Sequence, residues 1–193
     1  FGSAVSVHHN TLIIGAAGTG NVILEGRVFH CTRLSGEWQA PQVFPTQDFP
    51  NKTSLGGAVA VHGNFAAVAA PTANIESVSQ AGFVKVYSRE SEGGAWTSIM
   101  DLKGIEGASL CGTSLAIENS HLLVGFPGEP NGKVLFAGKV AAYKLRQDGA
   151  SFLDELRPPA PKLRGLFGFS LAIQNGRVLV GTAEACRAYA FRL

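Results

Sequence analysis

The sequence predicts an all-β protein: a run of β-propeller blades, four repeats of about 56 residues with the fourth incomplete. Three observations predict it. Four similar segments start at positions 1, 55, 111 and 167, in steps of 54, 56 and 56. A second landmark keeps the same step, since Gly26-Arg27-Val28, Gly82-Phe83-Val84 and Gly138-Lys139-Val140 are spaced by 56 and 56. The composition agrees: 24 Gly, one Met and no stretch with a helical apolar period, but many short Gly-punctuated runs of small and β-branched residues. The repeats divide the chain into blades 1–54, 55–110, 111–166 and 167–193, read as a single repeat-built domain.

Each unit reads as four strands. The first is an alternation of small and aliphatic residues, as in Ala4-Val5-Ser6-Val7, Ala58-Val59-Ala60-Val61, Ser114-Leu115-Ala116-Ile117 and Ser170-Leu171-Ala172-Ile173. Small residues suit a strand near a crowded central axis. Asn10, Asn64 and Asn175 fall where the chain must reverse, and Asn tolerates positive φ. The second strand is a continuous apolar run, such as Leu12-Ile13-Ile14 or Leu122-Leu123-Val124, which suits a strand covered on both faces. The third carries Val84, Val86 and Tyr87 in the second repeat. The fourth follows a glycine and an aromatic: Gly36-Glu37-Trp38, Gly94-Ala95-Trp96 and Gly149-Ala150-Ser151-Phe152. Aromatics there fill the wider outer part of a wedge.

These residues resemble the FG-GAP repeat, which builds the integrin α-subunit propeller and many bacterial and protist surface proteins. Phe1-Gly2 and Phe167-Gly168 match its opening dipeptide, and Leu55-Gly56 and Cys111-Gly112 are degenerate forms. Its second half shows as Gly15-Ala16-Ala17, Ala69-Ala70-Pro71, Gly125-Phe126-Pro127 and Gly181-Thr182-Ala183. The resemblance implies an integrin alpha-like propeller and a role in protein binding or cell adhesion. Integrin-type blades often carry an Asp-x-Asp-x-Asp-Gly calcium loop. That spacing does not occur here, so calcium is not implied and no cofactor is expected. Such propellers usually have seven blades. The register therefore leads us to expect part of a larger ring or a longer chain, or a half-ring completed by another copy.

Composition narrows the function classes. The net charge is +2 and charged residues make up 16% of the chain, with no clustered basic face for nucleic acid. No apolar run reaches the 18 or so residues of a transmembrane helix. The three cysteines include two, Cys31 and Cys111, that replace core residues of the repeat and read as buried thiols; a Cys31–Cys186 disulfide is the alternative. His8, His9, His62 and His121 fall at the first hairpins, which adjoining blades would place on one rim. A shared metal there competes with the plainer reading of solvated turns, and no metal site is expected. No nucleophile, carboxylate pair or phosphate loop emerges, so the chain is not read as an enzyme and has no catalytic residue.

The expected activity is non-catalytic recognition, adhesion or scaffolding through protein–protein contacts, with a protein partner or further blades of the same propeller. A carbohydrate-binding propeller, with Trp38 and Trp96 stacking on a glycan, is one alternative. An accessory propeller of a larger enzyme is another. The loops between strands two and three (16–25, 71–81, 127–137) and those joining blades (45–54, 103–109, 157–166) should share a face, and loops carry function more often than strands. The candidate binding residues there are Lys52, Asn74, Glu76, Lys103, Asn131, Lys162 and Arg164. Asn51-Lys52-Thr53 is a glycosylation sequon that fits a glycoprotein. The expected location is extracellular or on the cell surface, with a subunit of an intracellular assembly as the alternative.

Overall fold

The computed structural model describes residues 1–18, 25–50, 53–184 and 186–193. Among them the backbone forms strands and no helix, arranged as four antiparallel sheets. The first sheet holds β1 (Ala4–His8), β2 (Thr11–Ala16), β3 (Arg27–Leu34), β4 (Glu37–Trp38) and β5 (Gln42–Val43). The second holds β6 (Ala58–His62), β7 (Phe65–Ala70), β8 (Phe83–Ser88) and β9 (Thr97–Lys103). The third holds β10 (Leu115–Glu118), β11 (His121–Phe126), β12 (Lys139–Arg146) and β13 (Gly149–Leu156), and the fourth β14 (Ser170–Gln174), β15 (Arg177–Gly181) and β16 (Ala188–Arg192). The second, third and fourth sheets are meanders whose spatial order follows the chain.

The first sheet departs from the expected pattern. Its outer strand is split into β4 and β5, and both pair with β3, through Arg33↔Trp38 and Phe29↔Val43. Four residues separate Trp38 from Val43, including Pro41, which has no N–H to give a ladder. In the second and third sheets the outer pair is continuous and carries a register shift at one repeat position, between Val86 and Tyr87 and between Ala142 and Tyr143.

Three apolar clusters show how the sheets stack. One joins Ile13 and Val28 of the first sheet to Val59, Val61, Ala66, Val68 and Tyr87 of the second. The next joins Ala58, Ala67, Ala69, Val84 and Val86 to Leu122, Val124 and Leu145 of the third. The last joins Leu123, Val140 and Ala142 to Phe167, Val178 and Val180 of the fourth. The second sheet thus sends an alanine- and valine-rich face forward against the bulkier leucines of the third, while the third sends Leu123, Val140 and Leu156 toward the fourth. β7 and β11 are buried along almost their whole length, as expected for strands covered on both faces, while β15 alternates buried and exposed because one of its faces is bare.

Close approach of successive sheets requires glycine. A Cβ on Gly15 would overlap the Gly56 carbonyl, and one on Gly125 would overlap the Gly168 carbonyl. Gly56, Gly112 and Gly168 themselves have φ of +84, +84 and +88°, a region that L side chains rarely adopt. The repeat's Gly of Phe-Gly therefore docks on the second strand of the preceding sheet.

The hairpins between first and second strands are two-residue turns, but the Asn expectation holds only in part. Asn175 has φ +52°, whereas in the first and second sheets the left-handed residue is His9 (φ +50°) and Gly63 (φ +58°), each one place before the asparagine. Asn119, in a turn of the third sheet, adopts the same conformation at φ +53°. The left-handed position is the first of the two turn residues, and Asn10 and Asn64 occupy the second.

Candidate functional site: the loop rim

The loops between second and third strands and the connections between sheets hydrogen-bond to each other, so they do share a rim. In the second sheet the backbone N–H groups of Ala108, Leu110 and Cys111 donate to the carbonyls of Ser79 (2.8 Å), Gln80 (3.2 Å) and Ala81 (3.0 Å). In the third, Arg164, Leu166 and Phe167 donate to Leu135 (3.1 Å), Phe136 (2.9 Å) and Ala137 (3.0 Å). These are the same repeat positions. A small bridge tightens each loop, Ile75↔Val78 and Asn131↔Val134. Glu76 and Gly132 occupy one left-handed position, as do Ala108 and Arg164. The loops are thus pinned by backbone bonds, which leaves their exposed side chains on a defined frame.

The sequence-derived candidates distribute unevenly on this frame. Lys103, expected in the connection between sheets, instead ends β9, and its ammonium donates to the Glu76 carboxylate at 3.0 Å, tying the strand-connecting loop to that strand. The Asn74 side chain accepts the Gln80 N–H at 2.9 Å and shapes its own loop. Asn131 is half-buried and its backbone closes the bridge to Val134. Lys162 and Arg164 are exposed and make no ion pair with a described residue, and Lys133 beside them is equally free. Lys52 and the sequon Asn51 lie outside the described residues.

A charged chain under the third-sheet rim was not foreseen from the sequence. Glu129 is buried and faces Lys139 at 3.8 Å; Lys139 reaches Glu155 at 3.3 Å, and Glu155 accepts from Arg157 at 2.6 Å. Arg157 also donates to the Pro130 carbonyl at 3.0 Å. Burial pushes the Glu155 carboxyl up, but the Arg157 hydrogen bond and the Lys139 and Arg157 charges outweigh it and hold it below its ordinary value. The repeat offered a signal. Glu129 stands where the second repeat has Ala73, and Lys139 where it has Phe83, so two apolar residues are replaced by opposite charges.

The opposite rim carries the hairpins. His8 and His62 lie with ring centroids 3.9 Å apart, and each gives its Nδ1 to the next sheet: Gly63 N–H donates to His8 at 3.0 Å and Asn119 N–H to His62 at 3.1 Å. Glu118 fills the same position in the third sheet and accepts from Asn175 (2.6 Å) and Gly176 (3.0 Å). The ring lone pairs a metal would use are engaged, and no group of three or more metal-ligating residues forms among the described residues.

The two indoles differ. Trp38 is 43% exposed, while Trp96 is 8% exposed and packs under the Arg89 guanidinium at 4.5 Å. A sugar platform using both would need both open. The described residues contain no helix long and apolar enough to cross a membrane. No protein-family model matches the chain, and no curated protein matches it.

Proposed function

We propose that the protein is a non-catalytic recognition or scaffold module, a β-propeller of the FG-GAP type at the cell surface or outside the cell, that docks an acidic surface of a protein partner on its loop rim. The observation that carries this is the charge arrangement of the third-sheet rim. Lys139 and Arg157 are spent on Glu129 and Glu155, while Lys133, Lys162 and Arg164 project from a pinned backbone with no acidic partner among the described residues. Unpaired cations on a pinned backbone attract an opposite charge, and the ordering cost of binding is confined to their side chains. The propeller reading draws support from the stack of meander sheets with glycine-tight joints, as blades require.

The test is capture of partners from surface extracts of the source by the immobilised chain, compared with a K133E/K162E/R164E variant. A partner that elutes with salt and is lost in the variant supports the proposal. Equal retention by the variant, or capture that salt does not weaken, overturns it. A glycan array run beside it separates the sugar-binding alternative, which would rest on Trp38 alone.

A further inference from the structure

We infer that the rim of the third sheet takes a short segment of a protein partner in which an aliphatic or aromatic side chain is flanked by carboxylates. Leu135 and Leu163 hold the apolar group, and Lys133, Lys162 and Arg164 hold the acids. This rests on reading the rim as a surface for acids and names what else the partner must carry.

Backbone bonds bring these five residues into one patch. Arg164 N–H donates to the Leu135 carbonyl at 3.1 Å, Leu166 to Phe136 at 2.9 Å and Phe167 to Ala137 at 3.0 Å, so the two segments run side by side. Gly165 N–H closes on the Lys162 carbonyl at 2.9 Å and makes 162–165 a turn, with Leu163 and Arg164 at its head. Lys133 sits at the tip of the turn that the Asn131↔Val134 bridge closes, two places before Leu135. Leu135 is 56% and Leu163 67% exposed, and the three cations beside them are exposed too.

The second repeat shows what the frame itself requires. It makes the same bonds, from Ala108 to Ser79, from Leu110 to Gln80 and from Ser109 to Glu106. Ala108 and Arg164 share a left-handed φ, +58 and +55°. Yet the five positions there hold Ser77, Ser79, Glu106, Gly107 and Ala108. The formal charge of the set goes from −1, for Glu106 alone, to +3, for two lysines and an arginine. A Cβ built on Gly107 would find only the Ser79 carbonyl oxygen near it, at 3.8 Å. Positions 163 and 135 are therefore neighbours, and a side chain at 163 points into open space.

The blade thus folds without the leucines and without the cations, and the third repeat adds both at one place. A purely acidic surface would use the cations and leave the leucines in water. A segment that also carries an apolar side chain buries them, and an apolar anchor within a charged rim is where interface affinity concentrates.

The test is an array of short synthetic peptides with Leu, Ile or Phe set among Asp and Glu, each beside a copy with Ser at the apolar position. Fluorescence anisotropy then gives the affinity of each hit. The parent should bind the apolar member of a pair about tenfold more tightly than its serine copy. L135S/L163G, which restores the residues of the second repeat, should melt as the parent does and lose that preference while keeping its weaker, salt-sensitive hold on both. The reverse graft, S77K/S79L/E106K/G107L/A108R, should add a second peptide site. Serine copies bound as tightly as their apolar partners overturn the inference, and so does a parent that binds no acidic peptide. A graft that melts as the parent does yet gains no site also overturns it. The reading of the rim as a surface for acids fails on a different result, equal partner capture by K133E/K162E/R164E, so the two are told apart.

Discussion

Gly63 donates its backbone N–H to His8 Nδ1 at 3.0 Å, and this bond sets a rule for the whole stack. The last residue of each first strand reaches forward to hold the next sheet's hairpin. His8 joins the first sheet to the second, His62 the second to the third, and Glu118 the third to the fourth. Apolar burial brings the sheets together without fixing their rotation, and a hydrogen bond at the rim supplies that direction.

The bond has a pH dependence. His8 accepts at Nδ1 only as the neutral ring, and burial, with the His62 and His9 charges, lowers its affinity for protons; Glu92 opposes and Arg89 adds to the lowering. Burial is also the main cause for His62, with His9 adding to it and Glu118 opposing. His30 and His121 are lowered as well, by burial first and then by Arg89 and Lys144 respectively. Groups held below their unfolded value of 6.5 contribute stability that is full above that pH and is lost as pH falls through their lower folded values. The melting temperature should be flat above neutrality and decline on acidification. H8Q/H62Q, which copies the Gln174 of the fourth repeat, keeps an acceptor and should flatten the decline. An unchanged slope in that variant would refute the role of these rings.

Glu118 titrates elsewhere. The Gly176 and Asn175 N–H groups hold its carboxyl below 4.5, so its bonds persist above that pH and fail only in stronger acid. Hydrogen exchange at mildly acidic pH should therefore show Gly63 and Asn119 opening while Asn175 and Gly176 stay protected. Loss of all four together would sink the ordering.

Arg89 is the second tie between the first two sheets. Its guanidinium donates to Thr11 Oγ1 across the joint (2.7 Å) and to the Gly63 carbonyl (3.1 Å), and its face covers Trp96. Both bonds come from Nη2, so lysine can replace the charge and a donor but not the planar stack on Trp96. Arg89→Lys should cost about 1–3 kcal/mol in denaturant unfolding, and Arg89→Ala more. A cost within error for both would show that the buried charge contributes nothing net.

The period located every sheet because the spacing of Phe-Gly and Gly-x-Val is a local property of the chain. What covers each face is not local. Trp38 and Trp96 share a repeat position, yet one is open and the other sits against Phe44 and Arg89 in the space between two sheets. The equivalence of His8 and His62 was legible, but their bonding was not, since the donor is backbone of the following repeat. Of the rim candidates, Glu76 and Lys103 proved to be partners of each other because the 71–81 loop folds back over the end of β9. The free cations were half legible: the sequence points to Lys162 and Arg164 but not to Lys133, because the bridge that projects it cannot be read from a Pro-Asn-Gly-Lys string.

The glycine joints give a paired test. Gly125→Ala would drive a methyl into the Gly168 carbonyl, and backbone on both sides leaves little room to yield. It should cost about 3 kcal/mol or more. Gly149 sits in β13 with ordinary φ and open space around its Cβ position, so Gly149→Ala should be neutral or stabilise by up to about 1 kcal/mol. Urea titrations of the two variants read both values. Equal effects would contradict the close approach of the sheets.

The cysteines divide by environment. All three are free thiols; Cys31 and Cys111 are buried, and burial raises both above the ordinary thiol value, while Cys186 is exposed. The thiolate is the reactive form, so burial and a raised pKa protect the first two twice over. A maleimide at neutral pH should add once, and peptide mapping should place the adduct on Cys186. Denaturation should release the other two for labelling. A second adduct on the folded chain would mean that the packing over Cys31 on the outer face of the first sheet, or the joint around Cys111, opens readily, and no adduct at all would mean that Cys186 is covered or bonded.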